Sequence, residues 1–151
     1  MKPDEYYMQM ALAEAELAFQ EGEVPVGAVI IDSQGKLLAK AHNMREQWHD
    51  ATAHAEMLAI REASSALGQW RLSGLTLYVT LEPCPMCAGA IVMSRLERVV
   101  YGGMDAKAGA CESLFNIPGH PALNHRPQVT AGILEDECVS ILKKFFKQKR
   151  V

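Results

Sequence analysis

The stretch LTLYVTLEPCPMCAGAIVMS, residues 75–94, runs from a strand directly into a helix. Leu75 to Leu81 reads as a short buried strand. Pro85 to Ser94 reads as a short helix whose early proline costs no hydrogen bond, because first-turn N–H groups have no partner anyway. Strand-to-helix succession continues in both directions along the chain. Upstream, Pro3-Asp4 followed by Tyr7, Met10, Ala11, Leu17 and Ala18 predicts an amphipathic helix ending near Glu21-Gly22. Val26 to Ile31 predicts a buried strand, and Lys36 to His42 its hairpin partner across the turn Asp32-Ser33-Gln34-Gly35. Met44 to Thr52 reads as a loop, and Ala53 to Leu67 as a helix stopped by Gly68. Downstream, Arg98 to Tyr101 is a strand ended by Gly102-Gly103. A proline-bearing loop over Asn116 to Pro127, a short strand over Gln128 to Ala131 and a final helix over Glu135 to Lys149 follow. Helices alternating with short buried strands imply a three-layer α/β/α arrangement, with about five strands in a mixed sheet and helices on both faces. The expectation is a single domain over residues 1–151.

Composition agrees with an ordinary folded chain: 49% of residues are hydrophobic and 22% charged, which is enough for a packed core and too apolar for disorder. No apolar run is long enough to cross a bilayer. The N-terminus turns acidic at Asp4-Glu5 and lacks the apolar segment of a secretory signal. These features predict a cytoplasmic location without membrane attachment. The net charge of −3 supplies no global field to attract nucleic acid, so any such contact must be local. The one basic cluster is Lys143, Lys144, Lys147, Lys149 and Arg150, interrupted by Phe145 and Phe146. An aromatic beside lysines can stack a base, whereas the plainer reading is a solvated helix face with one ring on the core.

Two motifs carry chemistry. His54-Ala55-Glu56 opens the predicted second helix, and Cys84-Pro85-Met86-Cys87 bridges strand and helix. Each alone is weak, since a Cys-x-x-Cys also suits a redox pair or half of a zinc finger. Together they offer one imidazole and two thiolates. A structural zinc site closes all four positions with protein, whereas a catalytic one leaves the fourth to water, whose pKa the metal lowers towards neutrality. Cys84 and Cys87, three apart on a first helical turn, can reach one point. His54 and Glu56 can share a site only if His54 stands at the helix cap, because residues i and i+2 of a regular helix diverge. Glu56, beside the metal without binding it, suits proton transfer from water to a leaving group.

The pair His-Ala-Glu and Pro-Cys-x-x-Cys is the signature of the zinc-dependent cytidine and adenosine deaminases. Further segments resemble the bacterial transfer-RNA adenosine deaminases: Val24-Pro25-Val26-Gly27-Ala28-Val29, His42-Asn43, Thr80-Leu81-Glu82-Pro83-Cys84, Asp105-Ala106-Lys107, Asn124-His125-Arg126 and Phe145-Phe146. The resemblance implies a cytidine-deaminase-like fold, a homodimer and one zinc ion per subunit held by His54, Cys84 and Cys87. It implies proton transfer by Glu56 during conversion of a wobble adenosine to inosine in the anticodon stem-loop of an arginine transfer RNA. It further implies that Asn43, Val26 and the Ala55 backbone line the base pocket. Asp105, Lys107, Asn124, His125, Phe145 and Arg150 would meet neighbouring nucleotides. Asp50-Ala51-Thr52 departs from the family's Asp-Pro-Thr, losing a proline but no reactive group.

Two rival readings stand beside this one. A deaminase of free guanine or cytidine would use the same zinc chemistry without the basic C-terminus. A zinc-stabilised binding module, with Cys111 or a further His completing a structural site, would have no turnover. Cys111 and Cys138 otherwise read as small buried hydrophobes.

Overall fold

The computed structural model describes residues 1–149. The elements are α1 (Asp4–Gln20), β1 (Gly27–Ile31), β2 (Leu37–His42), α2 (Arg45–Trp48), α3 (Ala55–Leu67), β3 (Thr76–Leu81), α4 (Pro85–Met93), β4 (Arg98–Gly103), β5 (Gln128–Thr130) and α5 (Glu135–Lys149). The five strands form one mixed sheet in the order β2-β1-β3-β4-β5. β1 pairs antiparallel with β2 and with β3, while β3, β4 and β5 run parallel. The hairpin turns at Asp32, whose Oδ1 accepts from the N–H groups of Gln34 and Lys36, and at Gly35, whose φ of +84° suits glycine.

Side chains alternate across β1 and so build two cores. Ala28 and Ile30 join Leu77, Val79, Val99 and Tyr101 on one face, where α3 lays down Ala55, Ala59 and Ala63 at four-residue spacing. Val29 and Ile31 face the other way, against Tyr7, Met8 and Ala11 of α1 and Cys138 of α5. Helix α1 approaches so closely that a Cβ on Gly27 would lie 2.0 Å from the Ala11 carbonyl oxygen. The expected α/β/α layering is therefore present, with helices on both faces of a five-stranded mixed sheet.

Two sequence expectations need correction. Gly102 and Gly103 do not end β4 but belong to it. Their smallness admits α5, since a Cβ on Gly102 would stand 2.3 Å from Cys138 Sγ. The predicted loop after Met44 contains the one-turn helix α2. Its first-turn N–H groups are satisfied from far away in sequence: the buried carboxylate of Glu23 accepts from Glu46 N–H (3.1 Å) and Gln47 N–H (2.8 Å). Among the described residues, no helix is long and apolar enough to cross a membrane.

The parallel strands set the place of the site. β3 and β4 end together, with Leu81 paired to Gly103. From there β3 leads into α4 through Glu82-Pro83-Cys84, and β4 leads into a long irregular segment. The N-terminus of α3 arrives at the same edge, where open α/β sheets characteristically hold their ligands.

Candidate active site

His54 is the N-cap of α3 and Cys84 the N-cap of α4, both in extended backbone conformation (φ −79°, ψ 150° and φ −76°, ψ 174°). The geometric demand on His54 is thereby met: the cap conformation turns its imidazole away from the helical spiral, so it and Glu56 can reach one site. His54 Nδ1 lies 3.7 Å from Cys84 Sγ and 3.6 Å from Cys87 Sγ. Tetrahedral zinc with ordinary Zn–N and Zn–S bonds requires an N···S spacing of about 3.6 Å. The three donors therefore already stand at the separation that one zinc ion demands, all within 4.8 Å of one another. Cys111 is not in this group: its N–H donates to Glu82, and burial pushes its thiol up to about 12. No fourth protein donor joins the three among the described residues, which disfavours a closed structural site.

The electrostatics favour metal binding and proton transfer. Hydrogen bonds from the Cys87 thiol and from His54 bring Cys84 down to about 4, while the same bond and burial push the Cys87 thiol up, so the pair holds one proton that a bound metal would displace. The Cys84 hydrogen bond and Glu56 raise the affinity of His54 for its proton. Glu56 is 3% exposed, and burial pushes its carboxyl up to about 7 against the opposing pull of its own backbone N–H and of His54. A carboxyl poised near neutrality can both take and release a proton. A bound divalent cation would add its own charge and favour the carboxylate.

His54, Glu56 and Cys84 lie in the wall of a cavity of about 680 Å³, within the usual range for small-ligand sites. Asn43 and Val26 line it, as do Asp105 and Lys107. Asn43 is buried and fixed: its Oδ1 accepts from Ala55 N–H at 2.8 Å, and its own N–H donates to the Val26 carbonyl at 3.2 Å. Its side-chain –NH2 makes no protein hydrogen bond among the described residues and remains a donor for a ligand. Asp105 Oδ1 accepts from Lys107 N–H and Ala108 N–H, shaping the turn that presents Lys107.

Other expected site residues lie elsewhere. Ala55 does not line the cavity; its side chain is in the core and its N–H is spent on Asn43. Phe145 is also displaced from the expected role. It is 6% exposed and packs its ring 6.0 Å from Phe19, so it belongs to the interior. The adjacent Phe146, 44% exposed, is the aromatic that lines the cavity, together with Leu142. Helical spacing explains the exchange: Phe145 follows Cys138 by two turns on the buried face, while Phe146 follows Leu142 by one turn on the cavity face. Asn124 is exposed. His125 Nε2 contacts the Leu96 carbonyl at 2.6 Å, and His125 lines a separate groove of about 390 Å³ with Arg71, Arg95 and Arg126. That groove lies beside the start of β4, the opposite end of the sheet from the cavity. Arg150 lies outside the described residues. Arg45 on the cavity wall was missed by the sequence reading, because nothing local marks α2.

Comparisons with known proteins agree with this geometry. Residues 1–103 match the family described as "Cytidine and deoxycytidylate deaminase zinc-binding region". The chain is 52% identical over 150 residues to the tRNA-specific adenosine deaminase of Bacillus subtilis (strain 168), spanning 99% of this chain and 92% of that one. It is 50% identical over 146 residues to the tRNA-specific adenosine deaminase of Aquifex aeolicus (strain VF5), spanning 97% and 95%. A solved structure from studies of A-to-I editing by tRNA:A34 deaminases at the wobble position superposes with a TM-score of 0.87 and 46% identity, over 91% of this chain and 99% of that one. A guanine deaminase from Nitrosomonas europaea shares the fold, with a TM-score of 0.80 over 96% of this chain and 85% of that one, at 24% identity.

Proposed function

This chain belongs to the zinc-binding cytidine and deoxycytidylate deaminase family and, within it, to the tRNA-specific adenosine deaminases, and on that premise we propose that its cavity takes the wobble adenosine of an anticodon stem-loop and hydrolyses it to inosine and ammonia. The observation that carries the reading is Glu56, buried beside the His54–Cys84–Cys87 donor set in the wall of a cavity rimmed by Arg45, Lys107 and Phe146. Zinc, when held there, supplies the Lewis acidity that makes a water nucleophilic near neutral pH. The water oxygen becomes the C6 carbonyl of inosine; of its two protons, one ends on ring N1 and the other on the departing ammonia. Glu56, buried beside the donor set in the cavity wall, is the group placed to carry both in turn. Asn43 donates its –NH2 to the purine, and Val26 packs on the ring. Phe146 offers a stacking face at the mouth, while Arg45 and Lys107 face the phosphates. A base in a single-stranded loop enters at a cost of only a few kcal/mol.

Asn124 and His125 lie at the far end of the sheet, so within one chain they cannot share an anticodon loop with Glu56. We propose that they serve the site of a second copy, which joins the expectation of a homodimer to that of RNA contact. In this reading residues 1–151 act as one deaminase domain in the cytoplasm, on an arginine transfer RNA. The discriminating experiment offers purified protein an anticodon stem-loop carrying a wobble adenosine, in parallel with free adenosine, cytidine and guanine. Inosine from the stem-loop alone supports the reading. Turnover of a free base with an inert stem-loop would hand the chain to the small-molecule deaminases.

A further inference from the structure

Glu82 is 2% exposed, yet it has no cationic partner among the described salt bridges. Its carboxylate is instead filled by donors from one segment. Oε2 accepts from the consecutive N–H groups of Cys111 (3.1 Å), Glu112 (2.8 Å) and Ser113 (2.9 Å). Oε1 accepts from Asp105 N–H (3.0 Å) and from the Ser113 hydroxyl. Three successive amides converging on one oxygen form an anion-binding nest, here occupied by the protein's own carboxylate. A second tie reinforces it: Ala110 N–H donates to the Pro83 carbonyl at 2.8 Å. Gly109 closes over the carboxylate so tightly that a Cβ there would stand 2.4 Å from Glu82 Cδ and Oε1.

The segment gathered in this way, residues 105–113, contains Asp105, Ala106, Lys107 and Ala108 of the cavity wall. Its anchor lies two residues before the zinc-ligand position Cys84, on the same bend between β3 and α4. We propose that Glu82 is a positioning residue for the reaction: it ties the 105–113 segment to the bend that carries Cys84, and so fixes the RNA-facing wall at a set distance from the reacting centre. The inference rests on the reading of the cavity as an RNA site. Gln in place of Glu82 keeps the shape but turns one acceptor into a donor. It cannot accept at both oxygen positions, so part of the segment comes loose. A purely structural role would lower stability without separating KM from kcat.

The test compares wild type, Glu82→Gln and Gly109→Ala, the last of which leaves Glu82 chemically intact but pushes on both its carboxylate and the Asp105 carbonyl, 2.5 Å from the new Cβ. Amide hydrogen exchange at Asp105, Cys111, Glu112 and Ser113, zinc content, and kcat and KM on the anticodon stem-loop are measured for each. Both variants should exchange at these four amides about tenfold faster or more, as expected for a lost hydrogen bond to an ionised acceptor. KM should rise about tenfold with kcat within about twofold and zinc retained. Unchanged exchange, or loss of kcat and zinc at unchanged KM, would overturn the proposal and make Glu82 a support of Cys84 alone. A wild-type chain inert on the stem-loop would sink the functional reading instead, and the exchange pattern would then decide whether Glu82 holds the segment.

Discussion

The neighbouring aromatics of α5 should respond to truncation in opposite ways. Phe145 is 6% exposed, with its ring 6.0 Å from Phe19 and 5.4 Å from Phe146. Phe145→Ala removes a buried ring and leaves a cavity that the helix cannot fully close, which costs about 3 kcal/mol. For a domain of this size, each kcal/mol moves the melting temperature by about 2–4 °C, so Tm should fall by roughly 10 °C. Phe146 is 44% exposed and lines the cavity, so Phe146→Ala should cost no more than about 1 kcal/mol of stability. If a loop base stacks on that ring, truncation forfeits about 1–3 kcal/mol of binding, a rise in Kd of roughly 5- to 150-fold. Thermal unfolding followed by circular dichroism gives the first quantity. Fluorescence anisotropy of a labelled stem-loop gives the second, measured well below the Tm of both variants. Equal losses of Tm with unchanged Kd for Phe146→Ala would refute the assignment of the two rings to core and cavity.

Two further perturbations test the frame that carries the site. Gly27→Ala places a Cβ 2.0 Å from the Ala11 carbonyl, where backbone must move, and should cost about 1–3 kcal/mol in urea denaturation; a neutral result would contradict the close approach of α1 to β1. Asp4 is held below the usual carboxylate range by its hydrogen bonds to Arg98 (2.7 and 2.8 Å), opposed by burial and reinforced by the Tyr78 hydroxyl. Its folded pKa is thus lower than its unfolded one. The stabilisation is complete above the unfolded value and is lost as pH falls through the folded one. Asp4→Asn should therefore cost about 1 kcal/mol at pH 7, with the difference from wild type closing as the pH falls below the ordinary aspartate range and through the lowered folded value. A gap that widens on acidification would reverse the assigned sign.

The donor set of the site was legible because its chemistry is compressed into two short motifs, and because one helix start is locally marked. Pro85 at the first position of α4 places Cys84 at the cap without reference to the rest of the chain, whereas the helix expected from Ala53 begins two residues later, and only that start makes His54 the cap of α3. What was not legible depends on distant partners. Helix α2 exists because Glu23 supplies acceptors to Glu46 and Gln47, a pairing that no local window contains. Gly102-Gly103 reads as a strand end by composition, whereas α5 crossing at Cys138 makes it a strand that must be small. The identity of the cavity aromatic, in contrast, was recoverable. Counting two turns from Cys138 puts Phe145 on the buried face and leaves Phe146 for the cavity. The separation of His125 from the site had no sequence signal, since it follows from the direction of β4 within the sheet.

Proton transfer by Glu56, in a cavity that takes a base of RNA, is decided by Glu56→Ala. Zinc content, stem-loop affinity and inosine formation should be measured on one preparation beside wild type. Zinc and RNA binding should stay close to wild type, with inosine formation lowered by about 10²–10⁴-fold. Inosine formed by the variant at nearly the wild-type rate, with zinc bound, would contradict proton transfer by Glu56.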